Sequence, residues 1–122
     1  MGLVLVVEDN AANLKLAKFL LESVGHTVLS AVSAEAGLAM AREARPALIL
    51  MDIQLPGMDG LEAIGLLKRD EATRQIPVLA LTALAMKGDE ERIRAAGCDG
   101  YIAKPIRYQE LLTTIAGHLT PP

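Results

Sequence analysis

Three short stretches of this chain, residues 3–7 (LVLVV), 47–51 (ALILM) and 78–81 (VLAL), are apolar at every position. A strand with one wet face alternates apolar and polar residues. A run without alternation, too short for a helix, reads as a strand covered on both faces, and sheets of such strands are parallel. Two weaker runs, 27–31 (TVLSA) and 101–103 (YIA), are shorter or more polar and belong at the sheet edges. Helical patterns fill the gaps. Residues 13–24 carry apolar side chains at 14, 17, 20, 21 and 24 and stop at Gly25, and the Ala-rich 34–44 ends before Pro46. Residues 60–69 and 89–96 continue the pattern, the latter stopped by Gly97, and 107–119 places Tyr108, Leu111, Leu112, Ile115 and Leu119 on one stripe. The order is strand then helix, five times over. Crossovers of that length predict a parallel α/β sheet with helices on both faces, one domain over residues 1–122.

Open sheets of this class place their ligand sites beyond the carboxyl ends of the strands. Glu8 and Asp9 follow the first run, Asp52 the third, Thr82 ends the fourth and Lys104 follows the fifth. All five polar residues are therefore predicted on one edge. Three carboxylates gathered there raise one another's pKa unless a cation sits among them. Mg²⁺ suits the set: it is a hard ion that takes one or two direct carboxylates, keeps several waters and often completes its shell with phosphoryl oxygens. Lys104 supplies a mobile positive charge and Thr82 a hydroxyl donor for a phosphate. A carboxylate can itself attack phosphorus, giving an aspartyl phosphate. Asp52 is the candidate nucleophile, because it ends the central strand and opens a turn (DIQLPGMDG) held tight by Pro56 and two glycines. Asp9 and Glu8 would orient the metal, directly and through water, with the Gln54 backbone carbonyl as a further oxygen donor.

Composition narrows the partners. A formal net charge of -3 with no basic cluster argues against nucleic acid or an anionic membrane surface. One cysteine, Cys98, excludes an intrachain disulfide and suits a reducing cytoplasm. The N-terminus has no basic flank and no apolar run approaches the length of a membrane span, so neither signal peptide nor anchor is expected.

The segments VVEDN, LILMDIQLPGMDG, ALTA and YIAKPI, in this order on these strand ends, resemble the signature segments of the response-regulator receiver domain, a family of CheY-like proteins. The resemblance covers the whole chain, and the separations of 43, 30 and 22 residues between Asp9, Asp52, Thr82 and Lys104 agree with it. It implies a flavodoxin-like (βα)5 sheet of order 2-1-3-4-5, a phosphorylatable Asp52, metal-binding Glu8 and Asp9, a switch pair Thr82 and Tyr101, and Lys104 before a Pro105 peptide that is typically cis. It also implies a phosphohistidine donor, either a histidine kinase or a phosphotransfer protein, and a downstream protein effector. Residues 85–106 most resemble a single-domain cell-division regulator and the receivers of hybrid histidine kinases. The donor would dock at the first helix around Asn13 and Leu14. The output would be a repacked face of the fourth helix, fifth strand and fifth helix, near Lys87, Glu90, Glu91, Arg94 and Tyr108. Gln54 and Leu84 would flank the phosphate and tune its hydrolysis. The protein would act as a monomer or a phosphorylation-dependent dimer, either alone or as the receiver of a larger regulator.

Each residue also has a plainer explanation. Glu8 or Asp9 could cap the next helix, Asp52 could be a turn residue, Thr82 a helix cap, Lys104-Pro105 a turn and Tyr101 core. Cys98 reads as a packed, inert thiol, and His26 and His118 carry no assigned chemistry. Two other functions share parts of the pattern. An Asp-nucleophile phosphatase wants a second acid two residues after the nucleophile, where this chain has Gln54, and 122 residues leave no cap domain. A flavodoxin needs an anion-receiving loop after the first strand, which Glu8 and Asp9 would repel.

Overall fold

The computed structural model describes residues 2–83 and 87–119. The expectation for Leu84 falls outside them, as does the side chain of Lys87. Five strands, β1 (Leu3–Val7), β2 (Thr27–Ala31), β3 (Leu48–Asp52), β4 (Val78–Thr82) and β5 (Gly100–Ala103), alternate with α1 (Ala11–Ser23), α2 (Ala34–Ala44), α3 (Gly60–Arg69), α4 (Lys87–Ala95) and α5 (Tyr108–His118). All pairings are parallel and the order is β2-β1-β3-β4-β5. The polar runs are the edges, and β3 and β4, buried at every position, lie inside.

Period-two geometry splits the core into two layers. Leu5, Val7, Ile49, Met51, Val78 and Ala80 pack toward Ala41, Ala63, Ile64, Leu67 and Ile93 of α2, α3 and α4. Val4, Val6, Leu48, Leu50, Leu79 and Leu81 pack toward Ala17, Leu21, Leu111 and Ile115 of α1 and α5. The approach is close enough on the first side that a Cβ on Gly37 would lie 2.6 Å from a Val7 methyl.

Caps set the helix boundaries. The Asn10 side chain accepts from the Asn13 N–H at 3.0 Å, so α1 starts at Ala11, two residues before the apolar stripe predicted it. Ser33 and Asp59 cap α2 and α3 in the same way. α4 likewise starts two residues early, at Lys87, and β3 and β4 each run one residue further than predicted, taking in Asp52 and Thr82. The apolar pattern marks only the covered part of each element, and the ends are polar because they reach the functional edge.

Candidate functional site

The parallel register brings the strand ends to a common edge: Val7 lies beside Met51, Asp52 beside Leu81, and Thr82 beside Ala103. Glu8, Asp9, Asp52, Thr82 and Lys104 are thereby gathered. Glu8 and Thr82 have no exposed surface and Asp52 is 1% exposed, whereas Asp9 is open to solvent. One oxygen from each of Glu8, Asp9 and Asp52 can be chosen so that all lie within 4.8 Å of one another. The Lys104 ammonium reaches in between the buried acids, 3.0 Å from Asp52 Oδ2 and 2.9 Å from Glu8 Oε1. Its backbone N–H donates to the Thr82 carbonyl at 2.7 Å, which pins the β5 end to β4. The Lys104–Pro105 peptide is cis.

Asp52 is held from both sides. Its Oδ1 accepts the Gln54 N–H at 2.9 Å while Oδ2 faces Lys104. Asp59, which caps α3, and Gly60 bring that helix down onto the turn, and a Cβ at Gly60 would lie 2.3 Å from the Asp52 carbonyl oxygen and 2.4 Å from Ile53 Cα. The turn therefore requires glycine there for close approach of backbones. The Gln54 side chain arches over to accept the Ala83 N–H at 3.4 Å, linking the β3–α3 and β4–α4 connections.

The electrostatics follow from two buried acids sharing one lysine. Burial pushes Glu8 up to about 7, aided by its hydrogen bond and charge repulsion with Asp52 and only partly opposed by Lys104. Burial also acts to raise Asp52, but hydrogen bonds from Glu8, the Gln54 N–H and Lys104 outweigh it and hold Asp52 below its usual range. Burial acts to lower Lys104, and its bonds to Glu8 and Asp52 overcome this, so it stays firmly cationic. At neutral pH the pair thus pairs an ionised Asp52 with a Glu8 carboxyl that readily holds a proton. The Lys104 ammonium approaches Glu8 Oε1 off the hydrogen-bonding direction, and that fully buried oxygen has no aligned donor. A buried orphan acceptor next to two further carboxylates fits a hard divalent cation.

The plainer explanations fare differently. Asn10 caps α1, leaving Glu8 and Asp9 unexplained as caps. Tyr101 lies partly buried on β5 and its hydroxyl donates to Glu90 of α4, a contact that no spacing in the sequence signals. Cys98 donates to the Ile93 carbonyl at 3.0 Å, and burial raises its pKa, as expected of an inert thiol. His26 accepts the Gly2 N–H at 3.2 Å, and His118 joins Thr114 to Asp99 through their carbonyls, both away from the acidic edge. No described helix is long and apolar enough to cross a membrane.

Comparison with known proteins agrees with this geometry. Residues 4–116 match the response regulator receiver domain family. The chain belongs to that family. This receiver is 52% identical over 116 residues to the polar-differentiation response regulator DivK of Brucella ovis, with 95% of this chain and 94% of the relative covered. Its fold superposes on the chemotaxis response regulator CheY4 of Vibrio cholerae with a TM-score of 0.92 at 28% identity, covering 98% and 99% of the two chains. The receiver domain of a sensor histidine kinase from Pseudomonas aeruginosa PAO1, solved with a magnesium ion coordinated in its active-site cleft, superposes with a TM-score of 0.88 at 34% identity over 95% of each chain.

Proposed function

We propose that this receiver takes a phosphoryl group onto Asp52 from a phosphohistidine on a histidine kinase or phosphotransfer protein, and that the resulting aspartyl phosphate changes the surface of α4, β5 and α5. The observation that carries the reading is a buried, ionised Asp52 on a rigid strand end, 3.0 Å from a lysine and beside two further acids. An Asp52 oxygen bonds to phosphorus as the P–N bond to the donor imidazole breaks, and the imidazole leaves with the bonding electron pair. The Gln54 N–H and the strand backbone keep the carboxylate in place, so little ordering remains for the reaction. Lys104 can turn from Glu8 and Asp52 to a phosphoryl oxygen, keeping an ion pair throughout. The Thr82 hydroxyl donates to a second oxygen, which draws the β4 end toward the phosphate.

Asp9, Asp52 and the Gln54 carbonyl would hold Mg²⁺, with Glu8 reaching it through water. When bound, it neutralises the charge that the phosphoryl oxygens bring to an already acidic edge. The magnesium in the Pseudomonas receiver supports this choice of ion. Gln54, bridging to Ala83, stands where it limits the approach of hydrolytic water. The activity is confined to the protein's own phosphorylation and dephosphorylation. The 52% identity to a polar-differentiation regulator supports a signalling partner in cell differentiation, and a cytoplasmic place of action belongs to the same reading.

Intact mass after incubation with acetyl phosphate and Mg²⁺ tests the reading. One added phosphoryl group is expected in the wild type, and none in Asp52→Asn or with EDTA. An unmodified wild type, or an equally modified Asp52→Asn, overturns it.

A further inference from the structure

Tyr101 pairs across the sheet with Ala80, and Thr82 lies two residues further along the same face of β4. Tyr101 packs against the core layer that contains Ala80 and, from α4, the buried Ile93. Its hydroxyl donates to the Glu90 carboxylate in the first half of α4. That hydrogen bond, followed by burial and the charge of Glu90, raises the Tyr101 pKa, so the hydroxyl keeps the proton it donates at neutral pH. Among the described residues this is a direct side-chain tie between α4 and β5, the elements that the proposed output has to move.

We propose that the Tyr101–Glu90 hydrogen bond is a latch that holds the resting conformation, so that Glu90 sets how far the unphosphorylated protein leans toward its active state. The proposal rests on the phosphoacceptor reading and names the regulation of that site. A two-state switch needs a contact made in one state and absent in the other. A hydroxyl on a carboxylate is a stronger contact than a neutral pair, and it exists only while Tyr101 stays beside α4. Any shift of Thr82 toward a phosphate that draws Tyr101 along β5 must first break it. Glu90 is a positioning residue here, since it lies on α4, apart from the carboxylate cluster.

The test uses NMR signals of Thr82 and of the residue 101 backbone amide in the wild type, Glu90→Ala, Glu90→Gln, Tyr101→Phe and the Glu90→Ala/Tyr101→Phe double variant, each without and with Mg²⁺ and beryllofluoride as the phosphoryl mimic. Tyr101→Phe keeps the ring and removes only the donated proton. With a latch, the unliganded single variants move toward the beryllofluoride positions, a shift of roughly tenfold or more in the equilibrium, as for one hydrogen bond to a charged acceptor. The double variant moves no further than either single, because one bond cannot be lost twice. Resting signals that stay put in all three single variants while beryllofluoride still moves them overturn the latch and leave the phosphoacceptor reading standing. So does movement in the two Glu90 variants without movement in Tyr101→Phe, which would trace to the charge of α4. If beryllofluoride moves nothing in the wild type, the phosphoacceptor reading fails and the latch fails with it.

Discussion

Glu8 has no exposed surface, a pKa pushed up to about 7 and an oxygen without an aligned donor, which makes it an uncomfortable side chain among the described residues. Its folded pKa lies above the unfolded value of 4.5, so the folded state binds more protons than the unfolded one. The stability it contributes is complete below pH 4.5 and is lost as pH rises through about 7. Asp52, with its pKa lowered, stays ionised in that window and adds no slope. In EDTA the wild type should therefore lose about 2 kcal/mol between pH 5.5 and 8 relative to Glu8→Gln, in which the titrating group is gone. Urea denaturation across that range checks it, and parallel curves for the two proteins would refute the assignment. Sequence showed that Glu8 belongs with Asp9, Asp52 and Lys104, because all four follow strands whose carboxyl ends share one edge. It did not show that Lys104 divides itself between the two buried acids, since that depends on side-chain reach at an edge whose shape the sequence leaves open.

Between elements the decisive contact is backbone on backbone. α3 sits so near the end of β3 that Gly60 touches Asp52 and Ile53 with nothing between, while Asp59 caps the helix one residue earlier. Gly60→Ala places a methyl where neither neighbour is a flexible side chain. A cost of about 3 kcal/mol is expected, with a slower acetyl phosphate reaction because the turn that carries Asp52 is pushed outward. Asp59→Ala should cost about 1 kcal/mol from the lost cap with a much smaller effect on the reaction. Thermal denaturation and phosphorylation rates of the two variants separate these cases, and equal rates would show that α3 does not position Asp52. The turn's glycines stood out in the sequence as turn formers. Their role as a meeting point of two elements was hidden, as were the early starts of α1 and α4, because polar first turns outside the core leave no apolar mark. The tie from Glu90 to Tyr101 was equally silent: a glutamate on an exposed helix face looks the same with or without a partner.

For the molecule as a whole, two core layers lock the strands that carry the acidic edge, whereas α4, the proposed moving side, gives these layers one buried side chain among the described residues, Ile93. This division predicts that metal binding and switching can be told apart. A cation held by Asp9 and Asp52 interacts with the folded state only, since unfolding scatters residues 43 apart in sequence. Stabilisation then follows mass action, about 2.7 kcal/mol at a hundredfold excess over Kd, or roughly 10 °C in Tm for a domain of this size. Asp9→Asn removes an exposed ligand without disturbing the core and should abolish most of that gain while leaving the EDTA stability nearly unchanged. Because the proposed ligands follow strand ends and do not lie on α4, Mg²⁺ alone should leave the Tyr101 signals close to their resting positions, and only the phosphoryl group or its mimic should move them. Tm measured against Mg²⁺ concentration, alongside the Tyr101 signals in the same samples, decides the matter. A Tyr101 shift that tracks the metal titration would mean that the rigid edge and the adjustable face are one cooperative unit.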